Sequence, residues 1–184
     1  MGDCFMNHVS MEFLGNITVR ARVAFYLTIA EKVFEEFDQT DEGYSYTREA
    51  LDYCWYWLEG KTVTGQALHF YLENLDDTGL MTLACNAKDN PVKEPIWCVL
   101  ITSLAYTVWH AYISEGEKCL SETICEVDET IIDELIKFSG QCQSFNSNWL
   151  ELLGNYLFTK YQTNDDAELG NPIRKSEVMM IIES

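Results

Sequence analysis

The sequence predicts an all-α fold: a single compact bundle of about seven helices around a buried central helix. Apolar residues recur at steps of three and four along most of the chain, while the strict alternation of a strand appears almost nowhere. Composition agrees, since 47% of the 184 residues are hydrophobic and 13% aromatic, with only 10 Gly and 3 Pro. A chain of this length buries roughly 70% of the surface it exposes when unfolded, so one core forms without disulfide or metal staples. Five Trp, ten Tyr and nine Phe exclude a disordered chain. The scarcity of Gly and Pro excludes collagen, a linker or a succession of short β-turns. Residues 16–184 read as one helical domain with a short C-terminal tail, and residues 1–15 as a poorly structured N-terminus.

The first helix is expected over residues 18–37. Val19, Val23, Leu27, Ala30, Phe34 and Phe37 form one face, and Arg20, Arg22, Glu31, Lys32, Glu35 and Glu36 form the opposite, polar one. The second is expected over 47–59, with Thr47 as its N-cap and Gly60 as its stop. A third follows over 64–72 and a fourth over 77–87, before the turn at Asn90-Pro91. Pro95 suits the first turn of the fifth helix, where its missing N–H costs nothing. That helix, predicted over 95–114, is apolar on most sides yet carries Thr102, Ser103, Thr107 and His110, so it reads as a buried core element and not as a membrane span. Gly116 ends it. A further helix begins near Asp128, and a last clear one covers 147–161. The apolar run Val178-Met179-Met180-Ile181-Ile182 fits a docked tail, a helical turn or an edge strand.

The N-terminus lacks a basic region followed by an apolar run, which argues against a secretory signal. Met6 stands where N-myristoylation requires Ser or Thr, so Gly2 is not read as acylated. The seven cysteines are odd in number, irregularly spaced and without a C-x-x-C pair. They read as free, mostly buried thiols in a reducing cytoplasm.

Thirty acidic against twelve basic residues give a formal net charge of −18. A nucleic-acid surface of the usual kind and an anionic membrane are thereby excluded as partners, and a basic protein is favoured. The acids are concentrated. Residues 115–134 hold Glu115, Glu117, Glu122, Glu126, Asp128, Glu129, Asp133 and Glu134 against Lys118, a net of −7. Residues 31–49 hold seven acids against Lys32 and Arg48, a net of −5. Such a segment steers a basic partner and speeds its association. Glu122, Glu126, Asp128, Glu129 and Asp133 are the predicted partner-binding residues, with Asp76 and Asp77 as a second patch.

Catalytic signatures are missing: no phosphate loop, dinucleotide fingerprint, nucleophile elbow or zinc-protease motif is present. His69 and Glu73 share a helical face, but a metal needs three or four converging ligands. Cys54 or Cys98 with His110 would formally supply a thiol and a base. Both cysteines sit on apolar helical faces, where burial leaves a thiol inert. No catalytic residue, metal site or cofactor is therefore assigned.

Two stretches carry a resemblance. One is Cys54-Trp55-Tyr56-Trp57-Leu58-Glu59 followed by Tyr71-Leu72-Glu73-Asn74-Leu75. The other is Ala105-Tyr106-Thr107-Val108-Trp109-His110-Ala111-Tyr112 followed by a loop of the form Leu-x-Glu-x-Ile-x-x-Val-Asp, residues 120–128. Over about residues 18–138 the chain resembles a helical family of bacterial immunity proteins from polymorphic toxin systems, the sixth such family. The resemblance implies a cytoplasmic protein without enzymatic activity that protects its producer by binding one secreted toxin domain. Trp55, Trp97, Trp109 and Tyr112 lie on helical faces and are expected in the core. The resulting expectation is a monomer or weak dimer that occludes a basic toxin's active site or a nearby surface. The rival is a helical adaptor that binds a basic peptide or partner helix.

Overall fold

The computed structural model describes residues 11–183. Residues 1–10 lie outside it, and with them Cys4, Met6 and most of the segment expected to be poorly structured. Residues 11–15 depart from that expectation. Met11–Asn16 form a 3-10 helix with Leu14 buried, because Phe13 packs edge-to-face on Phe25 of the next helix, 5.6 Å between ring centres.

The described residues contain no strand and nine α-helices: α1 (Val19–Phe34), α2 (Tyr44–Leu58), α3 (Gly65–Leu72), α4 (Leu80–Asn86), α5 (Lys93–Glu115), α6 (Glu122–Cys125), α7 (Ile132–Ser139), α8 (Asn148–Tyr161) and α9 (Lys175–Glu183). The all-α prediction holds. So does the central helix, since α5 packs against α1, α2, α3, α4, α6 and α7. By length and composition α5 would also qualify as a membrane span, contrary to the polarity argument made from sequence; its burial within the fold marks it as a core helix.

A second helix is buried as thoroughly, which periodicity did not reveal. Fourteen of the sixteen residues of α1 are buried, Arg22 and Glu31 among them. Where α7, α8 and α9 lie against α1, two residues of its predicted polar face, Arg22 and Glu31, are buried and Arg20 and Lys32 half-buried, while Glu35 stays exposed. Each charge brought inside is paired. Glu31 accepts two hydrogen bonds from Arg48 (2.7 and 2.6 Å), one from Trp55 Nε1 (2.8 Å) and an ion pair from Lys175 Nζ (2.7 Å). The N-terminus of α1 has no side-chain cap. Its free N–H groups are taken up by carbonyls of a distant loop, Val19 N to Glu168 O (2.9 Å) and Arg20 N to Leu169 O (3.0 Å).

Helix ends follow local chemistry in part. Thr64 caps α3 by accepting from Ala67 N at 3.1 Å. Gly60 and Gly116 stop α2 and α5 in the left-handed region, at φ +77° and +73°. Thr47 does not cap α2. It lies buried inside the helix, which starts three residues earlier because Tyr44 stacks on Phe34 at 4.9 Å. The tail 178–182 is helical within α9, with Val178 buried.

The thiols also differ from expectation. Cys54 and Cys142 are buried and Cys98 is half-buried, but Cys85, Cys119 and Cys125 are exposed, all six being free. Trp55 and Trp97 belong to the core, while Trp109 and Tyr112 are only partly covered.

Candidate functional site

The acidic segment is held on α5 by its apolar residues and shaped by its polar ones. Ile124, Val127, Ile132 and Leu135 are buried and seat it. Glu117 accepts from Lys118 N and Cys119 N at 2.8 and 2.9 Å, which tightens the turn after Gly116. Ser121 caps α6 and Asp128 caps the single 3-10 turn Glu129–Ile131, accepting from Thr130 N at 2.8 Å. Acids in the first turns of α6 and α7 complement the helix dipoles. Part of the segment's charge thus serves its own folding.

All five predicted acids of this segment have exposed side chains, but they are not equivalent. Among the described residues, Glu122, Glu126 and Asp133 make no hydrogen bond or ion pair. Asp128 spends its carboxylate on the cap, and the hydroxyl and backbone N–H of Thr130 hold it below the usual aspartate range. Glu129 must be reassigned. One of its oxygens pairs with Arg22 at 2.5 Å and the other accepts from Tyr106 OH at 2.6 Å. Arg22 is almost fully buried, so Glu129 neutralises an interior charge and fastens the segment to α1 and α5. Asp76 and Asp77 lie in the turn after α3, where Asp77 takes a positive φ of 54°.

Between α5 and the acidic segment runs a groove of about 310 Å³. Ile101, Ala105, Val127 and Ile131 give it an apolar floor, and Glu126, Asp128 and Glu134 give it an acidic rim. Glu134 was not among the predicted partner residues. Its spacing of eight from Glu126 crosses a helix break, so no periodic signal could join them. Residues 31–49 behave differently. Glu31 is buried, Glu35 pairs with Lys32, Glu36 accepts from Ser144, Asp38 caps Thr40, and Asp41 pairs with Lys93. Most of that charge is consumed inside the fold.

Burial opposes the charged form of each catalytic candidate. Burial pushes the Cys54 thiol far above its usual range and the Cys98 thiol upward as well. His110 is pushed down to about 3, first by burial and then by the Arg22 charge. His69 is tied down on both nitrogens. Nδ1 contacts Tyr112 OH at 3.0 Å, and Nε2 meets Glu73 Oε1 at 2.8 Å and Ser121 Oγ at 3.2 Å. Thr123 Oγ1 donates to the other Glu73 oxygen at 3.0 Å. This network joins α3 to the start of the acidic segment. Among the described residues, no three His, Cys, Asp or Glu side chains are grouped to hold a metal ion.

Residues 21–142 match the family model described as Immunity protein Imm6, about two thirds of the chain. The chain belongs to the Imm6 family. Membership makes it an immunity protein, directed against a toxin. The Imm6 region begins within α1 and ends just beyond α7, so it includes the groove and both acidic patches, whereas α8 and α9 lie outside it. No curated protein and no solved structure matches the chain.

Proposed function

We propose that this Imm6 protein neutralises its cognate toxin by binding it directly, with no chemistry of its own, and that a basic toxin surface docks over the groove beside α5. One observation carries the reading: an apolar trough bordered by Glu126, Asp128 and Glu134, with Glu122 and Asp133 nearby, none of them in an ion pair among the described residues. An apolar floor rewards an inserted side chain with burial. Unneutralised carboxylates draw a cationic partner from a distance of about a Debye length, ~8 Å at physiological salt. A toxin that handles nucleic acid or nucleotides presents such a cationic surface around its own active site. Covering that site stops the toxin without a reaction, and an interface of ~1,600 Å² is the usual size. Exposed free thiols fit a reducing cytoplasm as the place of action. A net charge of −18 disfavours self-association and suits a monomer or weak dimer.

The test uses the toxin domain encoded next to this chain. Glu126→Lys with Asp133→Lys reverses two exposed acids that make no hydrogen bond or ion pair among the described residues, with thermal melting as the control for the lost helix-dipole contribution of Asp133. Association measured by stopped flow slows by about tenfold at low salt, and the difference shrinks as salt is raised. Equal association rates at both salt concentrations would exclude the acidic segment as the docking face.

A further inference from the structure

Helices α2 and α3 carry an aromatic stripe that the fold covers only in part, with Tyr71 buried, Tyr46 and Tyr53 half-buried and Tyr56 exposed. Tyr46, Tyr53 and Tyr56 fall on one face of α2. Their rings form a chain through Tyr71 of α3: Tyr46 to Tyr71 is 5.3 Å, Tyr71 to Tyr53 is 5.1 Å and Tyr53 to Tyr56 is 5.8 Å between centres. Beside them Phe70 is 51% exposed, and Leu75, just past the end of α3, is fully exposed at 103%. The turn that presents Leu75 is fastened. Asn74 Oδ1 accepts from Asp76 N (3.1 Å) and Thr78 N (3.2 Å), while Asn74 Nδ2 donates to Phe70 O (3.0 Å) and Tyr46 OH (3.3 Å).

A leucine wholly in water beside a half-exposed phenylalanine adds nothing to the core. Tyrosine gives large contact area with little entropy to lose, and anchors of this kind dominate binding energy. The surroundings select the occupant. Glu49, Asp76 and Asp77 border the stripe, and the nearby cations are engaged, Arg48 with Glu31 and Asp52, Lys61 with Glu59 and over the Tyr56 ring at 3.9 Å. A second copy would bring two chains of −18 together here. Helix α3 also touches the groove side, since Glu73 at its end accepts from Thr123, which lines the groove.

Resting on the reading above, we infer that the α2–α3 stripe is the anchor half of the toxin-docking surface, taking an apolar patch of the toxin bordered by cations. The groove acids set how fast the partner arrives, and Phe70 and Leu75 set how long it stays.

The experiment compares the full chain, Phe70→Ser with Leu75→Ser, and Leu75→Ser alone against the neighbouring toxin domain by surface-captured kinetics. Thermal melting serves as the control for folding. Dissociation of the double variant is at least about tenfold faster, association stays within about twofold, and Leu75→Ser alone shows part of the effect. A wild-type dissociation rate in both variants overturns the inference and leaves the groove reading standing. A native chain that fails to bind the toxin domain ends both. Sedimentation showing a dimer that the double variant dissolves also overturns it, by making the occupant a second copy.

Discussion

Two acids, Glu31 buried and Glu129 on the surface but bonded to the buried Arg22, show why single acids in this chain have such different roles. Burial alone would raise Glu31, but the Arg48 and Lys175 charges outweigh it and hold its carboxyl below the ordinary glutamate value of 4.5. A depressed folded value stabilises the native state above that pH and loses the contribution as pH falls below it. Glu31→Gln therefore lowers stability by about 2 kcal/mol at pH 7, since Arg48 and Lys175 keep some access to solvent. The gap between variant and native melting temperatures narrows on acidification below pH 4.5, which melts at a series of pH values check. At Glu129 the charge partner is deeper. Glu129→Ala leaves Arg22 with the Asp166 carbonyl but no counter-charge and removes the acceptor of Tyr106, at a cost of about 3 kcal/mol by chemical denaturation. The sequence assigned Glu129 to the partner because Arg22, 107 positions earlier, carries no signal of contact with it.

At the scale of elements, the stops at Gly60 and Gly116 and the start near Asp128 were readable because the deciding group lies within the same turn. Thr64, Asp128, Gly60 and Gly116 act as their types imply. A Cβ at Gly116 would meet nothing within 4 Å, so its left-handed backbone is the sole constraint. Gly116→Ala accordingly costs about 1 kcal/mol, read as a small drop in melting temperature with toxin binding unchanged. The start of α2 was not legible, because stacking of Tyr44 on Phe34 decides it. Nor was α6, whose four residues are too few to show a period. The apolar run 178–182 fitted helix and strand equally. Lys175 reaching Glu31, together with burial of Val178, fixes it as the last helix.

Over the whole molecule, the Imm6 region is not a self-sufficient body. Leu150, Leu153, Leu157, Ile173 and Val178, all beyond it, are buried, and α8 and α9 lie against α1. A fragment ending at Cys142 would bare that side of α1 and strip Lys175 from Glu31. It is expected to lose its cooperative thermal transition, which calorimetry or circular dichroism would show; a melt like that of the intact chain would contradict the packing described. The proposed docking surface belongs to this scale as well, since Glu73 and His69 of the α3 region meet Ser121 and Thr123, about fifty positions later, in the segment that follows α5.

The sequence by itself determined the helical class, the central position of α5, the family and the excess of negative charge. These properties depend on local periodicity, on composition and on motifs a few residues long. Tertiary structure alone decided which acids remain available to a partner. Whether a carboxylate is spent on an arginine or left in water depends on which helices pack together, and one-dimensional spacing holds no record of that. The same packing buried Arg22 and Glu31 of α1 and left Phe70 and Leu75 outside, since a hydrophobic residue goes inside only where another element arrives to cover it.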